Sequence, residues 1–119
     1  MPKPAKTMPQ RRVRGSRTGR PIMALLDLLG RRWTLRILWE LRDGALTSRA
    51  LRTACDEASP TVLNERLKEL REAGFVELGD AGGYSLTPSG RELNETALPL
   101  YHFAERWRGN QALSLLRGA

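Results

Sequence analysis

The stretch from Ser59 to Gly90 constrains this chain more than any other. Ser59 can cap a helix that Pro60 opens, because a first-turn proline gives up an N–H that had no partner. Gly74 suits the left-handed residue at which such a helix stops. Between them Leu63, Leu67 and Leu70 form one narrow apolar stripe. The opposite face, with Thr61, Glu65 and Lys68 and flanked by Asn64, is therefore free for something other than a core. After Gly74 come two short β-type runs, Phe75 to Leu78 and Tyr84 to Thr87, around the Gly-rich corner Gly79-Asp80-Ala81-Gly82-Gly83. Thr87 and Pro88 then repeat the Ser-Pro type of helix start.

Charge divides the chain in two. The net charge is +7 over 119 residues. Residues 1–20 hold seven cations and no acid, so the remainder carries thirteen of each sign and is neutral. Pro2, Pro4, Pro9, Gly15 and Gly19 accompany those cations, and almost nothing apolar does, which predicts a disordered basic arm. Arg11, Arg12, Arg14 and Arg17 suit a polyanion, most simply a nucleic-acid backbone or minor groove, with a solubilising leader or an acidic membrane surface as alternatives. No apolar run is long enough for a signal peptide or a membrane span. One cysteine excludes an internal disulfide and fits a reducing cytosol, so the expected compartment is cytoplasmic.

Clear punctuation breaks the rest into short helices. Pro21 to Leu29 is apolar nearly all round, and Gly30 stops it. A domain this small is poorly equipped to cover such a helix alone, which points to a subunit interface. Trp33 to Asp43 is the second predicted helix, with Trp33, Ile37, Leu38 and Leu41 inward and Leu35 and Trp39 on the other side. Ala45-Leu46-Thr47 can pair as a short strand, and Ser48 to Cys55 is a short helix with Leu51 inward and Arg49 and Arg52 outward. Asp56-Glu57-Ala58 turns the chain into the helix at Ser59, which is the connection of a helix-turn-helix. The last helix carries the stripe Leu93, Ala97, Leu100, Ala104, Trp107, and Pro99 should bend it. The expected fold is mainly α with a small antiparallel β wing, a dimeric winged helix-turn-helix. Its parts are a basic arm at 1–20, a DNA-binding domain with its dimerisation helices at 21–109, and a short C-terminal tail at 110–119.

Three segments resemble the HxlR family of bacterial transcription regulators: Gly30-Arg31-Arg32-Trp33 through Asp43-Gly44, Ser59 through Val76, and Tyr84-Ser85-Leu86-Thr87 with Gly90 and Leu93. Their order and spacing cover about residues 21 to 107. The resemblance implies a homodimer with the first and last helices at the interface, in agreement with the over-apolar first helix. Ile22, Leu25, Leu26, Leu29, Trp39, Leu100, Tyr101 and Trp107 are the expected interface residues.

Departures from the family pattern bear on mechanism. Members often have Cys-Pro at the start of the first helix, the thiol being a redox sensor in some; here the pair is Arg20-Pro21 and that switch is absent. Where the family tends to show Arg-Phe, this chain has Thr47-Ser48, so an arginine contact to DNA is either missing or taken over by Arg49. The corner at 79–83 has one acid and no base, and the longer proline-containing wing loop is missing.

Residues near the start of a recognition helix reach base edges, and its first amides face phosphate. Thr61 then suits a thymine methyl, Asn64 an adenine, Lys68 a guanine, and Glu65 a cytosine amino group or Lys68 itself. Arg49, Arg52 and Ser59 suit the backbone. The bland alternative is a solvated helix face, since Arg66, Lys68 and Arg71 are balanced by Glu65, Glu69 and Glu72. Cys55 reads as a small buried apolar residue and His102 as exposed. One His and one Cys form no catalytic pair or zinc-ligand set, so no enzyme, metal or cofactor is expected. Trp33, Trp39 and Trp107 read most simply as core or interface, with a small-molecule effector pocket between them as the alternative. The expected partners are thus double-stranded operator DNA, a second copy of the chain and an unidentified small-molecule effector. The expected role is a repressor on a palindromic operator. A winged-helix protein-interaction module and a non-specific DNA binder driven by the basic arm are the alternatives.

Overall fold

The computed structural model describes residues 20–118, so the basic arm with Arg11, Arg12, Arg14 and Arg17 lies outside the described residues. Five helices and three strands follow in the order α1 (Pro21–Leu29), α2 (Thr34–Glu40), β1 (Leu46–Thr47), α3 (Ser48–Ala54), α4 (Pro60–Glu72), β2 (Val76–Leu78), β3 (Gly83–Leu86) and α5 (Pro88–Gly118). The strands form one antiparallel sheet in the order β1-β3-β2, with Leu46 opposite Tyr84 and Val76 opposite Leu86. This is the mainly helical winged arrangement expected from the sequence.

The caps read from the sequence are in place. The Val62 N–H points to Ser59 Oγ at 3.5 Å, and Gly74 has φ +85° at the end of α4. At the second start the Gly90 N–H donates to Thr87 Oγ1 at 3.0 Å, while that hydroxyl donates to the Gly74 carbonyl at 2.6 Å. Thr87 therefore both caps α5 and ties it to the end of α4. The predicted strand Tyr84–Thr87 is displaced by one residue to Gly83–Leu86, because Thr87 is committed to this cap.

One core gathers Ile37, Leu38 and Leu41, Leu51 and Cys55 around α3, Leu63, Leu67 and Leu70 of α4, Val76 and Leu86 of the wing, and Leu28 and Leu93. Each buried leucine contributes about 1.5–3 kcal/mol relative to an exposed one. All three leucines of the α4 stripe are in this core, which orients the recognition helix from behind.

The second helix is shorter at both ends than the predicted 33–43. Trp33 is not its first turn but its N-cap, left-handed at φ 75°. That conformation costs about 1–2 kcal/mol for an L-residue, and it is offset by packing of the Trp33 ring against the core. At the other end the chain leaves the helix after Glu40, and the freed Leu38 carbonyl accepts from Asn94 Nδ2 at 2.7 Å. This bond joins α2 to α5 across 56 positions of sequence. The last helix is continuous across Pro99 and runs to Gly118, beyond residue 109.

Candidate nucleic-acid interface

The turn between α3 and α4 sets the geometry of the site. Asp56 and Glu57 are both left-handed, at φ 56° and 60°, and neither is glycine. Two arginines hold this strained corner. Arg52 Nε donates to the Ala58 carbonyl at 3.2 Å and lies 3.8 Å from Glu57. Arg36, reaching over from α2, donates to the Ala54 carbonyl at 2.6 Å, to Glu40 at 2.8 Å and to Asp56 at 3.3 Å. Its guanidinium pKa is raised, chiefly by the Glu40 hydrogen bond. Buried Ala58 anchors the middle of the turn. The angle between α3 and α4 is thus fixed by side chains as well as by the core.

With the corner fixed, α4 turns its polar face outward. Thr61, Asn64, Glu65 and Lys68 are all exposed, and so are Ser59 and Arg49. The structure brings these residues to one helix and its approach. Arg52 is exposed as well, and its Nε is bonded to the turn, so it braces the corner. Beside α4 the β2–β3 hairpin projects, with Asp80 exposed at its corner.

A second surface lies on α1 and α5. Ile22 and Trp107 are each 55 % exposed, and Leu26, Leu100, Phe103 and Leu98 are exposed with them. Phe103 and Leu98 were not singled out from the sequence, although Leu100 and Phe103 follow the i, i+3 spacing of one helix face. Other residues expected there behave differently. Leu25 and Leu29 pack against the chain's own core. Trp39 and Tyr101 are half-buried against each other, ring centroids 4.8 Å apart, and the Tyr101 hydroxyl donates to the Leu35 carbonyl at 3.2 Å. Arg42 sits 4.0 Å over the Trp39 ring. These four side chains serve the chain's own packing first, because each finds an intramolecular partner.

Cys55 is fully buried, and burial raises its thiol pKa. His102 is exposed. Among the described residues no group of three or more His, Cys, Asp or Glu side chains is disposed to hold a metal, and no helix is long and apolar enough to cross a membrane. A cleft does occur, but not among the three tryptophans; it lies between α1 and α4, lined by Met23, Leu26, Asp27, Gly30, Arg31, Arg32, Arg66 and Glu69. Sequence reasoning missed it, because its walls, α1 with the α1–α2 turn and the Arg66–Glu69 side of α4, come together only in the folded chain.

A helix-turn-helix with a polar second helix beside a β wing defines a winged-helix transcription regulator. A family model described as HxlR-like helix-turn-helix matches residues 28–112, and the chain belongs to that family. Its relatives include an uncharacterized HTH-type transcriptional regulator of Synechocystis sp., 29% identical over 82% of this chain and 78% of that protein. The uncharacterized HTH-type transcriptional regulator YvaP of Bacillus subtilis is 32% identical over 69% of this chain and 82% of its own length. Among solved structures, quinone-bound YodB from B. subtilis is similar with a TM-score of 0.67 at 29% identity, over 71% of this chain and 96% of that one. A possible HxlR family transcriptional factor from Thermoplasma volcanium also has a TM-score of 0.67, at 27% identity, over 75% of this chain and 85% of that one. Regulators of the HxlR type bind DNA, and this chain is one of them.

Proposed function

We propose that this chain is a homodimeric, cytoplasmic repressor that reads a palindromic operator through α4. The observation that carries the reading is the exposed face of that helix, Thr61, Asn64, Glu65 and Lys68, presented beside a wing on a corner braced by Arg36 and Arg52. Thr61 contacts a thymine methyl, Asn64 an adenine and Lys68 a guanine, while Glu65 accepts from a cytosine amino group or orients Lys68. Ser59 and Arg49, with Arg11, Arg12, Arg14 and Arg17 of the arm, bind phosphates and fix register. The apolar surface of Ile22, Leu26, Leu100 and Trp107, with Phe103, is covered by a second copy, and Tyr101 and Trp39 border it. Two recognition helices related by a two-fold axis then meet half-sites about 34 Å apart. Repression follows from occupancy of the operator, and a small-molecule effector would relieve it.

Selection of genomic fragments by the full chain and by a variant lacking residues 1–19 tests this. Both should enrich one palindrome. The shorter chain should show a salt slope reduced by about 0.9 for every phosphate that the arm neutralises. Asn64→Ala should cost about 1–3 kcal/mol at one base pair per half-site and relax its identity. Enrichment of nothing by either chain would overturn the operator reading. It would favour the alternative use of the winged helix as a protein-interaction module, for which the wing with Asp80 and no base is the supporting observation. Loss of all binding with the arm would instead point to non-specific binding by residues 1–19.

A further inference from the structure

The cleft between α1 and α4 contains none of the residues assigned above to DNA, and it shares only Leu26, at its edge, with the apolar surface. Its volume is 610 Å³, within the range of about 300–1,000 Å³ that small-molecule sites occupy. The lining is mostly polar, with a small apolar strip from Met23 and Leu26 of α1 at the rim. The other lining is charged: Arg31, Arg32 and Arg66 against Asp27 and Glu69, one positive charge in excess.

The pairing of these charges is incomplete. Arg31 meets Asp27 at 3.0 Å and Glu69 at 2.8 Å, and Arg66 Nη1 meets Glu69 at 2.6 Å. Arg66 is only 16 % exposed, and its Nε is buried with no hydrogen-bond partner. Arg32 lies 5.6 Å over the Trp33 ring and has no carboxylate partner among the described residues. A buried guanidinium N–H without an acceptor is rare in folded proteins and calls for an explanation. Arg66 therefore keeps unused donor capacity beside a lining with one positive charge in excess.

We propose that this cleft binds a small organic monoanion, its carboxylate on Arg66 and Arg32 and its apolar body on Met23 and Leu26. One charge in excess matches one carboxylate better than a phosphate dianion, and an inorganic ion would leave the Met23–Leu26 strip unused. The ligand competes with Glu69 for Arg66 and so redistributes the Arg66–Glu69–Arg31 bridge that joins the α1–α2 corner to α4. Where α4 reads DNA, as proposed above, that link gives the ligand a route to the operator.

The binding claim is tested without DNA. The full chain, ¹³C-labelled at its methionine methyl groups, is titrated with benzoate and with octanoate; benzamide and inorganic phosphate are run beside them. Either carboxylate should shift the Met23 resonance saturably, benzamide should not, and phosphate should act more weakly. Arg32→Gln and Arg66→Gln should each weaken the carboxylate by about tenfold, as removal of one charge-assisted hydrogen bond requires. Arg32 is exposed, so its variant remains informative if Arg66→Gln fails to fold. No Met23 shift at millimolar carboxylate, an equal response to benzamide, phosphate binding more tightly, or undiminished binding in Arg32→Gln would each overturn the assignment. Such a failure leaves operator selection untouched, and failure of operator selection leaves this titration untouched.

Discussion

Replacing Gly90 by alanine sets two effects of opposite sign against each other, and the structure decides between them. Gly90 lies in the first turn of α5, where alanine is favoured over glycine by up to about 1 kcal/mol. A Cβ at this position, however, would fall well inside contact distance of the Phe75 carbonyl oxygen and 3.2 Å from Leu86 Cδ2. That carbonyl cannot retreat freely, since it accepts from the Thr87 N–H at 3.0 Å and is followed by Val76, paired with Leu86. Leu86 is buried in the core and has little room either. Overpacking against such fixed neighbours costs typically about 1–3 kcal/mol, occasionally more, and with backbone as the obstacle the upper part of that range applies. The net expectation is a loss of about 2 kcal/mol, or about 8 °C in Tm for a chain of this size. Gly109→Ala in the same helix is the matched control, because a Cβ there meets nothing within 4 Å. It should gain up to about 1 kcal/mol from propensity alone. Urea unfolding followed by far-UV circular dichroism, at one fixed protein concentration, measures both. If Gly90→Ala is neutral or stabilising, α5 does not meet the wing as described.

Four further outcomes follow from other parts of the molecule. Glu57→Gly should stabilise by about 0.5–1 kcal/mol, since it relieves a left-handed residue at the cost of one exposed ion pair, and thermal unfolding checks the sign. Leu26→Glu, introduced where the side chain is exposed, tests the proposed dimer: at one concentration the unaltered chain should sediment as a dimer and the variant as a folded monomer, and an unchanged dimer would remove α1 from the interface. Tyr101→Phe deletes the bond to the Leu35 carbonyl and should cost about 0.5–1.5 kcal/mol in urea unfolding, while the ring contact with Trp39 persists. Because burial raises the Cys55 thiol pKa in the folded state, the associated stability is complete below the unfolded thiol's pKa of about 8.5 and is lost as pH rises beyond it. Cys55→Ala should therefore flatten the alkaline side of a Tm–pH profile, although the cavity it leaves lowers the whole curve.

Local signals were legible in the sequence and cross-chain ones were not. Ser59-Pro60, Gly74 and Thr87-Pro88 name helix ends because a helix end is a property of two or three adjacent residues: Ser59 and Thr87 are N-caps and Gly74 is the left-handed residue after the C-cap Ala73. The stripe Leu63, Leu67, Leu70 gave the inward face of α4 for the same reason: its period is carried by the helix itself. Trp33 misled, because a large aromatic at helical spacing reads as a first-turn core residue, yet the chain turns left-handed there to seat the ring. Leu25 and Leu29 share an all-round apolar helix with Ile22 and Leu26, and sequence cannot say which side its own domain covers. Arg36 and Arg52 look like any exposed arginines until the corner they grip is folded beneath them. Asn94 likewise shows its use only when α5 lies across the end of α2.

The burial pattern of α4 shows how one helix of thirteen residues can serve three purposes at once. With a rotation of about 100° per residue, Leu63, Leu67 and Leu70 lie within about 30° of a common direction, and these are its buried residues. Thr61, Asn64, Glu65 and Lys68 spread over about 100° on the far side and are all exposed. Val62, Arg66 and Glu69, with Ala73 at the C-cap, fall between, centred about 100° from the core direction, and are all half-buried. The third face is neither core nor free surface, and two of its four residues line the cleft toward α1. A change in the Arg31–Glu69 pair, which crosses from the α1–α2 turn, therefore acts on α4 from the side, where it can rotate or shift the exposed face without opening the leucine core. A side face carrying the one buried, unpartnered guanidinium nitrogen on this helix is where a small ligand would have most leverage over what the helix reads.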